Sequence, residues 1–460
     1  MNLWAIARNT VLQAFRMRVL AFAGAFVLLG FPIIVASLKS YGSPKAELQV
    51  VLTYSLELVN IILCLLTVFL ATWTLCTEIQ DRQIFSLDTK PVYRWQILGG
   101  KFLGIVIVNL ILLLGMAAPT YGLICWQLRK LSQEERTEIE NKLLYGRRSV
   151  LPTALDLNAA FEKEMRRRIA EGLLTGDTPL ARVQEEVRNL VWQRSQTVQY
   201  GYTKAWEFRG LPDKQDIPEG KSVIVRFKIF TPNPTLKIQK TGSWRFKLQD
   251  GDLVGQTRLK ATTGVTQEIS LHRNSMRKKG GKFYVEYKNV DRSRTLIIFP
   301  INDGIEILYP TLPFTQNFIN GCCLILIRVS FLAILGLACS TFLTFPMAIT
   351  VTLVTWVLCM ISNYMIEISG LMLMYNINEQ RIAEGPDWLD ESLRMYIRLL
   401  FSAVPDFTTY NPVPLLTDGR EVSYSMVGKA FFSLVLLRGG AVALVSGIIF
   451  QMRELAKLAR

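Results

Sequence analysis

The sequence predicts an α-helical membrane protein with six transmembrane helices and an inserted extracytoplasmic α+β domain, a helical part followed by a β-sandwich. Three observations carry that prediction. Half of the 460 residues are hydrophobic and only 19% are charged, where soluble domains run near a quarter charged. Charge is segregated as well: residues 127–317 hold 33 Lys and Arg against 22 Asp and Glu, so +11 of the net +15 lies there. The hydrophobic pattern also changes along the chain, from long unbroken runs to helical spacing and then to alternation. Such a composition excludes a collagen, a disordered chain and a disulfide-knit secreted module.

Crossing roughly 30 Å of hydrocarbon takes about 20 apolar residues in a helix. Residues 19–38 are uncharged over that length, 58–77 form a second run with Glu57 at its edge, and 102–128 a third. Beyond the insert, 307–327 is uncharged, Arg328 interrupts, and 329–366 is uncharged again. That stretch exceeds one span and fits a tight helical hairpin, turning around 340–346 where Ser340, Thr341 and Pro346 break the pattern. Residues 430–452, containing Arg438, make the sixth span. The plan is a first membrane half at 1–126, an insert at 127–317 and a second membrane half at 318–460 with an outer loop at 375–429. The first run is long, lacks a small-residue cleavage site and follows a helical N-terminus, unlike a cleaved signal peptide.

Orientation follows from the short connections. With the N-terminus inside, the inner segments carry Arg8, Arg16, Arg18, Arg82, Lys90, Arg94, Lys101, Arg453, Lys457 and Arg460, against Lys39 and Lys45 in the short outer loop. The positive-inside rule then places both termini in the cytoplasm, and the expected location is a bacterial inner membrane. Three spans precede the insert, so it lies outside; long domains translocate regardless of charge, and its basic character does not object.

Within the insert, 130–200 reads helical. Ser132 with Glu135 makes a capping box, and Asp177-Thr178-Pro179 offers a cap with proline in the first turn. Leu180, Val183, Val187, Leu190 and Val191 then share a helix face. From 205 to 312 the period is two, with strands expected at 223–230, 236–238, 244–248, 283–287, 295–299 and 305–309. Gly242, Gly251, Gly264, Gly280, Gly281 and Gly304 punctuate them, the spacing of a sandwich. Arg277-Lys278-Lys279 with Lys282 is either a solvated hairpin tip or a site for an anionic lipid or polymer. Arg166-Arg167-Arg168 reads as a polar helix face. Neither has the interleaved aromatics of a single-strand nucleic-acid platform, so no nucleic-acid partner is expected.

Catalytic and metal chemistry find little footing. The seven cysteines lie in or beside apolar runs, and His272 is the only histidine, so no Cys/His ligand spacing and no histidine-dependent triad exists. Gly220-Lys221-Ser222 has the ending of a phosphate loop, but its first glycine would fall at Gln215 and a strand follows. No catalytic residue, metal site or bound cofactor is expected of this chain.

The connection after the second span carries the functional signal. From Glu78 through Asp81, Arg82, Pro91, Arg94 and Lys101 it is amphipathic and charge-dense, turns at Pro91 and re-enters the membrane through Gly99-Gly100-Lys101. A short helix under the membrane at about 78–94 fits that pattern. Here the sequence resembles the permease subunits of type-2 ABC exporters. Glu78, Pro91-Val92-Tyr93-Arg94 and Gly100-Lys101 match the family's acidic residue, turn and span opening. An amphipathic elbow (Leu3, Trp4, Ile6, Val11, Phe15), the Ser340-Thr341 turn, Pro405-Asp406-Phe407 and a closing Phe450, Arg453 and Glu454 match further places. The family's Gly-Thr step after the acid is Gln83-Ile84 here, which bears on which ATPase fits. The resemblance covers both membrane halves and leaves the insert out. It implies a transport subunit, not an enzyme, whose Glu78, Asp81, Arg82, Pro91, Arg94 and Lys101 couple it to a separate cytoplasmic ATPase binding ATP-Mg. It also implies a homodimer or heterodimer of permease chains among membrane lipids.

Two features keep alternatives open. Glu57, Arg328, Glu367 and Arg438 interrupt apolar runs in the outer half of the membrane; buried charges usually pair or face water, so they form either interhelical ion pairs or a substrate path. Leu389, Leu393, Tyr396, Leu400 and Val404 share one helical face, either an interfacial helix or a packing helix under the insert. Besides an exporter, the chain fits a mechanotransmission or scaffolding protein acting through its outer β-sandwich, or a membrane-anchored binding module.

Overall fold

The computed structural model describes residues 3–37, 42–81, 93–153, 156–171, 180–232, 237–248, 251–273, 276, 281–301, 304–378, 404–452 and five positions between 392 and 401. It falls into two compact units, Met1–Leu144 with Pro313–Arg460, and Tyr145–Leu312.

The first unit is helical. Helix α1 (Leu3–Arg16) is followed by α2 (Arg18–Ala25), a π turn at Phe26–Gly30 and α3 (Phe31–Ser37). Then come α4 (Pro44–Gln80) and α5 (Arg94–Lys130). Beyond the insert lie α9 (Phe314–Ser340) and α10 (Phe345–Asn378). Last are the short α11 (Pro412–Thr417) and a helix built of α12 (Tyr424–Ala430), a π stretch and α13 (Gly440–Met452). Five helices are long and apolar enough to cross a membrane: Pro44–Gln80, Arg94–Lys130, Phe314–Ser340, Phe345–Met365 and Tyr424–Met452. The run expected as the first of six spans is helical but not among these five, being cut into α2, the π turn and α3.

Two boundaries move from their expected places. Residues 307–312 belong to a strand, and the third of the five apolar helices starts at Phe314. Arg328 is therefore its fifteenth residue, about 21 Å along the axis and near the middle of the helix. The hairpin turn falls between Ser340 and Phe345. Helix α9 is the axis of the unit, with 72% of its most apolar window buried. Small residues let it approach α4: a Cβ on Gly336 would lie 2.8 Å from Ala71 Cβ, and Ser340 donates to the Thr72 carbonyl at 3.4 Å.

The second unit begins at Tyr145, inside the expected insert of 127–317; α5 runs on to Lys130, and α6 (Gln133–Ile139), opened by the Ser132–Glu135 capping box, belongs to the helical unit. Strand β1 (Gly146–Val150) stands where helix was expected, because its partner is at the far end of the insert: Gly146 pairs with Leu312 and Val150 with Ile307 of β10 (Ile305–Leu312). Helices α7 (Leu157–Ala170) and α8 (Leu180–Gln196) follow, packed through Val183, Val187 and Val191 against Leu157, Phe161 and Met165. The cap proposed at Asp177-Thr178-Pro179 lies outside the described residues. Arg166, Arg167 and Arg168 pair with Glu162, Glu171 and Glu186 on a solvated face.

One four-stranded antiparallel sheet runs β1-β10-β4-β7 and another β3-β8-β5-β6, with β4 at Val223–Lys228, β7 at Thr266–Leu271, β3 at Thr203–Phe208, β8 at Phe283–Asn289, β5 at Gln239–Leu248 and β6 at Leu253–Thr262. A two-stranded ribbon pairs β2 (Thr197–Val198) with β9 (Ile297–Ile298). Both larger sheets feed one core: Phe227 of one packs on Trp244 of the other with ring centroids 4.3 Å apart, and Tyr287 and Phe299 complete the aromatic cluster. Strands β6 and β7 were not foreseen, since β6 is an edge strand with a half-exposed, polar-rich pattern. Gly242, expected at a turn, sits inside β5, where an added Cβ would fall 2.1 Å from the Tyr287 ring. Its missing side chain is what admits that ring.

Candidate functional site

The predicted coupling residues meet three helices at one junction. Glu78 lies in the last turn of α4 and Lys101 in the third turn of α5, and burial leaves their side chains 8% and 2% exposed. Lys101 Nζ lies 2.7 Å from Glu78 Oε2 and donates to the Thr74 carbonyl at 3.3 Å. Gln13 of α1 donates to the other Glu78 oxygen at 3.1 Å. An ion pair removed from water needs such extra hydrogen bonds to offset its desolvation. Glu78 and Lys101 thus brace α1, α4 and α5 against one another.

What carries Gln13 there is a pair of glycines. A Cβ on Gly100 would lie 2.6 Å from Ile6 Cβ, and one on Gly104 would lie 2.7 Å from Thr10 Cβ and 2.8 Å from the Ala7 carbonyl oxygen. Gly100 and Gly104, four apart on α5, form the groove that seats α1. The Gly-x-x-x-Gly spacing at 100–104 was a legible signal for this contact, and the sequence reading passed over it.

Arg94 also turns inward. Its Nη1 donates to the carbonyls of Phe450 at 2.5 Å and Gln451 at 3.2 Å, and its guanidinium lies 5.5 Å from the centre of the Phe450 ring. It thereby ties the start of α5 to the last described turn of the final helix. Trp95 beside it covers Gly447, where an added Cβ would fall 2.3 Å from the ring. Asp81 follows α4 and is exposed. Arg82 and Pro91, with the segment between them, lie outside the described residues, as do Arg453 and Glu454.

Of the four charges in apolar runs, Arg328 and Glu57 are joined through an amide. Arg328 is fully buried and donates through Nη1 to Asn411 Oδ1 at 3.3 Å; Asn411 Nδ2 in turn donates to Glu57 Oε1 at 3.4 Å. The Phe407 ring lies 4.9 Å below the guanidinium, and Met360 Sδ lies 3.5 Å from Nη2. Asn411 also caps α11 through Val413 N–H, so one amide joins α4, α9 and the start of α11. Sequence reading missed it because an asparagine in a polar loop carries no periodic signal. Arg438 is half-buried, with no ion pair among the described residues. The Glu367 side chain lies outside the described residues, and so does most of the face expected at Leu389, Leu393, Tyr396, Leu400 and Val404.

In the β-sheet unit, Lys240 Nζ donates to Asp291 at 3.1 Å, Ser293 at 2.5 Å and Thr295 at 2.6 Å, a satisfied buried knot. Burial pulls the Lys204 ammonium down to about 8 and the Arg147 guanidinium down to about 10. His272 is exposed just past β7, and residues 277–280 lie outside the described residues. No family model matches this chain, and neither a curated protein nor a solved structure is similar to it.

Proposed function

We propose that this chain is the permease subunit of an ATP-driven exporter of the type-2 ABC class, moved by a separate cytoplasmic ATPase that binds ATP-Mg. The observation that carries the reading is the Gln13–Glu78–Lys101 junction. The segment at 82–92 is bracketed by the ends of α4 and α5, and both ends are braced, to each other and α1 by Glu78 and Lys101 and to the last helix by Arg94. A push on that segment is passed to four helices at once. Its outward-facing flanks, Asp81 and the exposed Tyr93, are the described groups left for an ATPase groove.

The same junction supports a sixth crossing. Gln13 touches Glu78 at one end of α4, while the chain re-enters α4 at Pro44, about 51 Å away along the axis. The intervening residues must climb that distance. Val27 lies 3.1 Å from where a Gly115 Cβ would stand, beyond the Gly100 and Gly104 contacts of α1, so α2 and α3 ascend along α5. With the π turn between them they make twenty residues, about 30 Å of helix and one hydrocarbon thickness. With six spans both termini are cytoplasmic and the Tyr145–Leu312 unit is outside, its two sheets reading as a β-sandwich. Two permease chains complete the transporter. A non-transporting mechanotransmission role is favoured by one observation, an outer unit with a core of its own.

The test is co-purification of a phosphate-loop ATPase from native membranes with the full chain and its Asp81→Lys and Pro91→Ala variants, with ATP turnover in the reconstituted complex. Reduced binding or turnover with intact membrane insertion is expected. Parent-like behaviour of both variants removes the coupling assignment.

A further inference from the structure

A cavity of about 470 Å³ opens beside the junction, lined by Gln13, Arg16 and Arg18 around the α1–α2 break and by one face of α4. Its size lies within the roughly 300–1,000 Å³ of small-molecule pockets. Along α4 the lining residues Phe69, Trp73, Thr77 and Asp81 recur every four positions. They form a stripe about 18 Å long that passes from aromatic to hydroxyl to charged. That is the polarity order of a lipid, tail to headgroup. Arg16, Arg18 and Asp81 are exposed, and none of the three has an ion-pair partner among the described residues. Glu78 also lines the cavity, but its charge is matched by Lys101. The uncompensated lining charge is therefore two positive against one negative.

We infer that this cavity is a binding site for one anionic membrane phospholipid, its phosphate held by Arg16 and Arg18 and an acyl chain lying along Trp73 and Phe69. The inference rests on the membrane character of the helices and not on the transport reading. A guanidinium pair matches phosphate oxygens in geometry as well as charge. The net positive lining selects an anionic over a zwitterionic headgroup, and the aromatic end of the stripe selects a lipid over free phosphate. A lipid seated there touches α1, the α1–α2 break and α4 together, so occupancy stiffens the brace at Glu78.

Native mass spectrometry of the detergent-purified full chain, titrated with phosphatidylglycerol, phosphatidylethanolamine or phosphatidylcholine, tests it. The parent chain is expected to retain one phosphatidylglycerol in preference to the other two. Arg16→Gln with Arg18→Gln should weaken that retention about tenfold, while Asp81→Asn, which removes a repelling carboxylate, should strengthen it. The three residues are exposed, and an unchanged thermal melt establishes that each variant folds. Unchanged retention in the arginine variant overturns the site. Equal retention of phosphatidylethanolamine, with a loss on Asp81→Asn, overturns the anionic headgroup in favour of an ammonium contact. Displacement of the lipid by millimolar inorganic phosphate overturns the lipid in favour of a free anion.

Discussion

Lys101 shows how a single buried charge ties a sequence motif to mechanics. Alone in the helix interior it would be costly; paired with Glu78 and bonded to Thr74 it becomes a brace. Removing one partner strands the other, and such losses run to about 3–5 kcal/mol. Lys101→Met is therefore expected to destabilise the detergent-solubilised chain by about 3 kcal/mol. The double change with Glu78→Gln should recover most of that, and additive melting shifts would show that the two groups do not interact. Arg328 behaves differently because Asn411 stands between it and Glu57. In double-mutant cycles, Arg328→Leu should couple strongly with Asn411→Leu and weakly with Glu57→Gln. Lys204 makes a pH-dependent case. Its proton is held less tightly in the fold, near 8, than in the unfolded chain, near 10.5. The unfolded state binds more protons between those values, so stability rises with pH across that window, and below it the buried charge is a penalty. The ammonium is partly solvated, so Lys204→Met should gain only about 1 kcal/mol at pH 7 and flatten that rise. Denaturant titrations of the Tyr145–Leu312 unit at pH 7 and pH 10 measure both.

Among the elements, α1 is held by shape more than by charge. Its face of Ile6, Ala7, Thr10 and Ala14 is buried, while Trp4 and Phe15 are exposed, an amphipathic helix suited to an interface. Gly104→Leu would drive a side chain into Thr10 and the Ala7 carbonyl, at a cost of about 1–3 kcal/mol. Helix α1 should then lift and release Gln13. Trypsin is expected to cleave after Arg8 and Arg16 at least tenfold faster in that variant; an unchanged digestion rate would mean that α1 is not seated on the glycines. Strand β1 makes the opposite point. Gly-Arg-Arg-Ser-Val has no strand signature of its own, and only its pairing with β10 makes it a strand.

At the scale of the whole molecule, that β1–β10 pairing brings the entry and exit of the inserted unit together, with Gly146 opposite Leu312. A domain whose ends are hydrogen-bonded neighbours with a core of its own is separable from its host. Residues 145–312 expressed alone should unfold in one cooperative transition. The proposed orientation is checked by cysteines at Gln199 and Glu219, both exposed, in intact spheroplasts. An impermeant thiol reagent should label both, and labelling only after lysis would place the unit inside.

Composition and period alone determined a membrane protein with a separate β-rich unit, because lipid selects long apolar helices and a two-sheet core selects alternation. The Ser132 cap, the Ser340–Phe345 turn and the valine stripe of α8 were legible for the same local reason. Partners were not. The sequence marked Glu78, Lys101, Arg94 and Arg328 as unusual, but whether each charge faced a partner protein, a lipid or another helix depended on residues up to hundreds of positions away. Lys101 found Glu78, Arg94 found the carbonyls of Phe450 and Gln451, and Arg328 found Asn411. Burial withdraws water and leaves each polar group only the partners that chain packing supplies, and that choice was made by the tertiary structure.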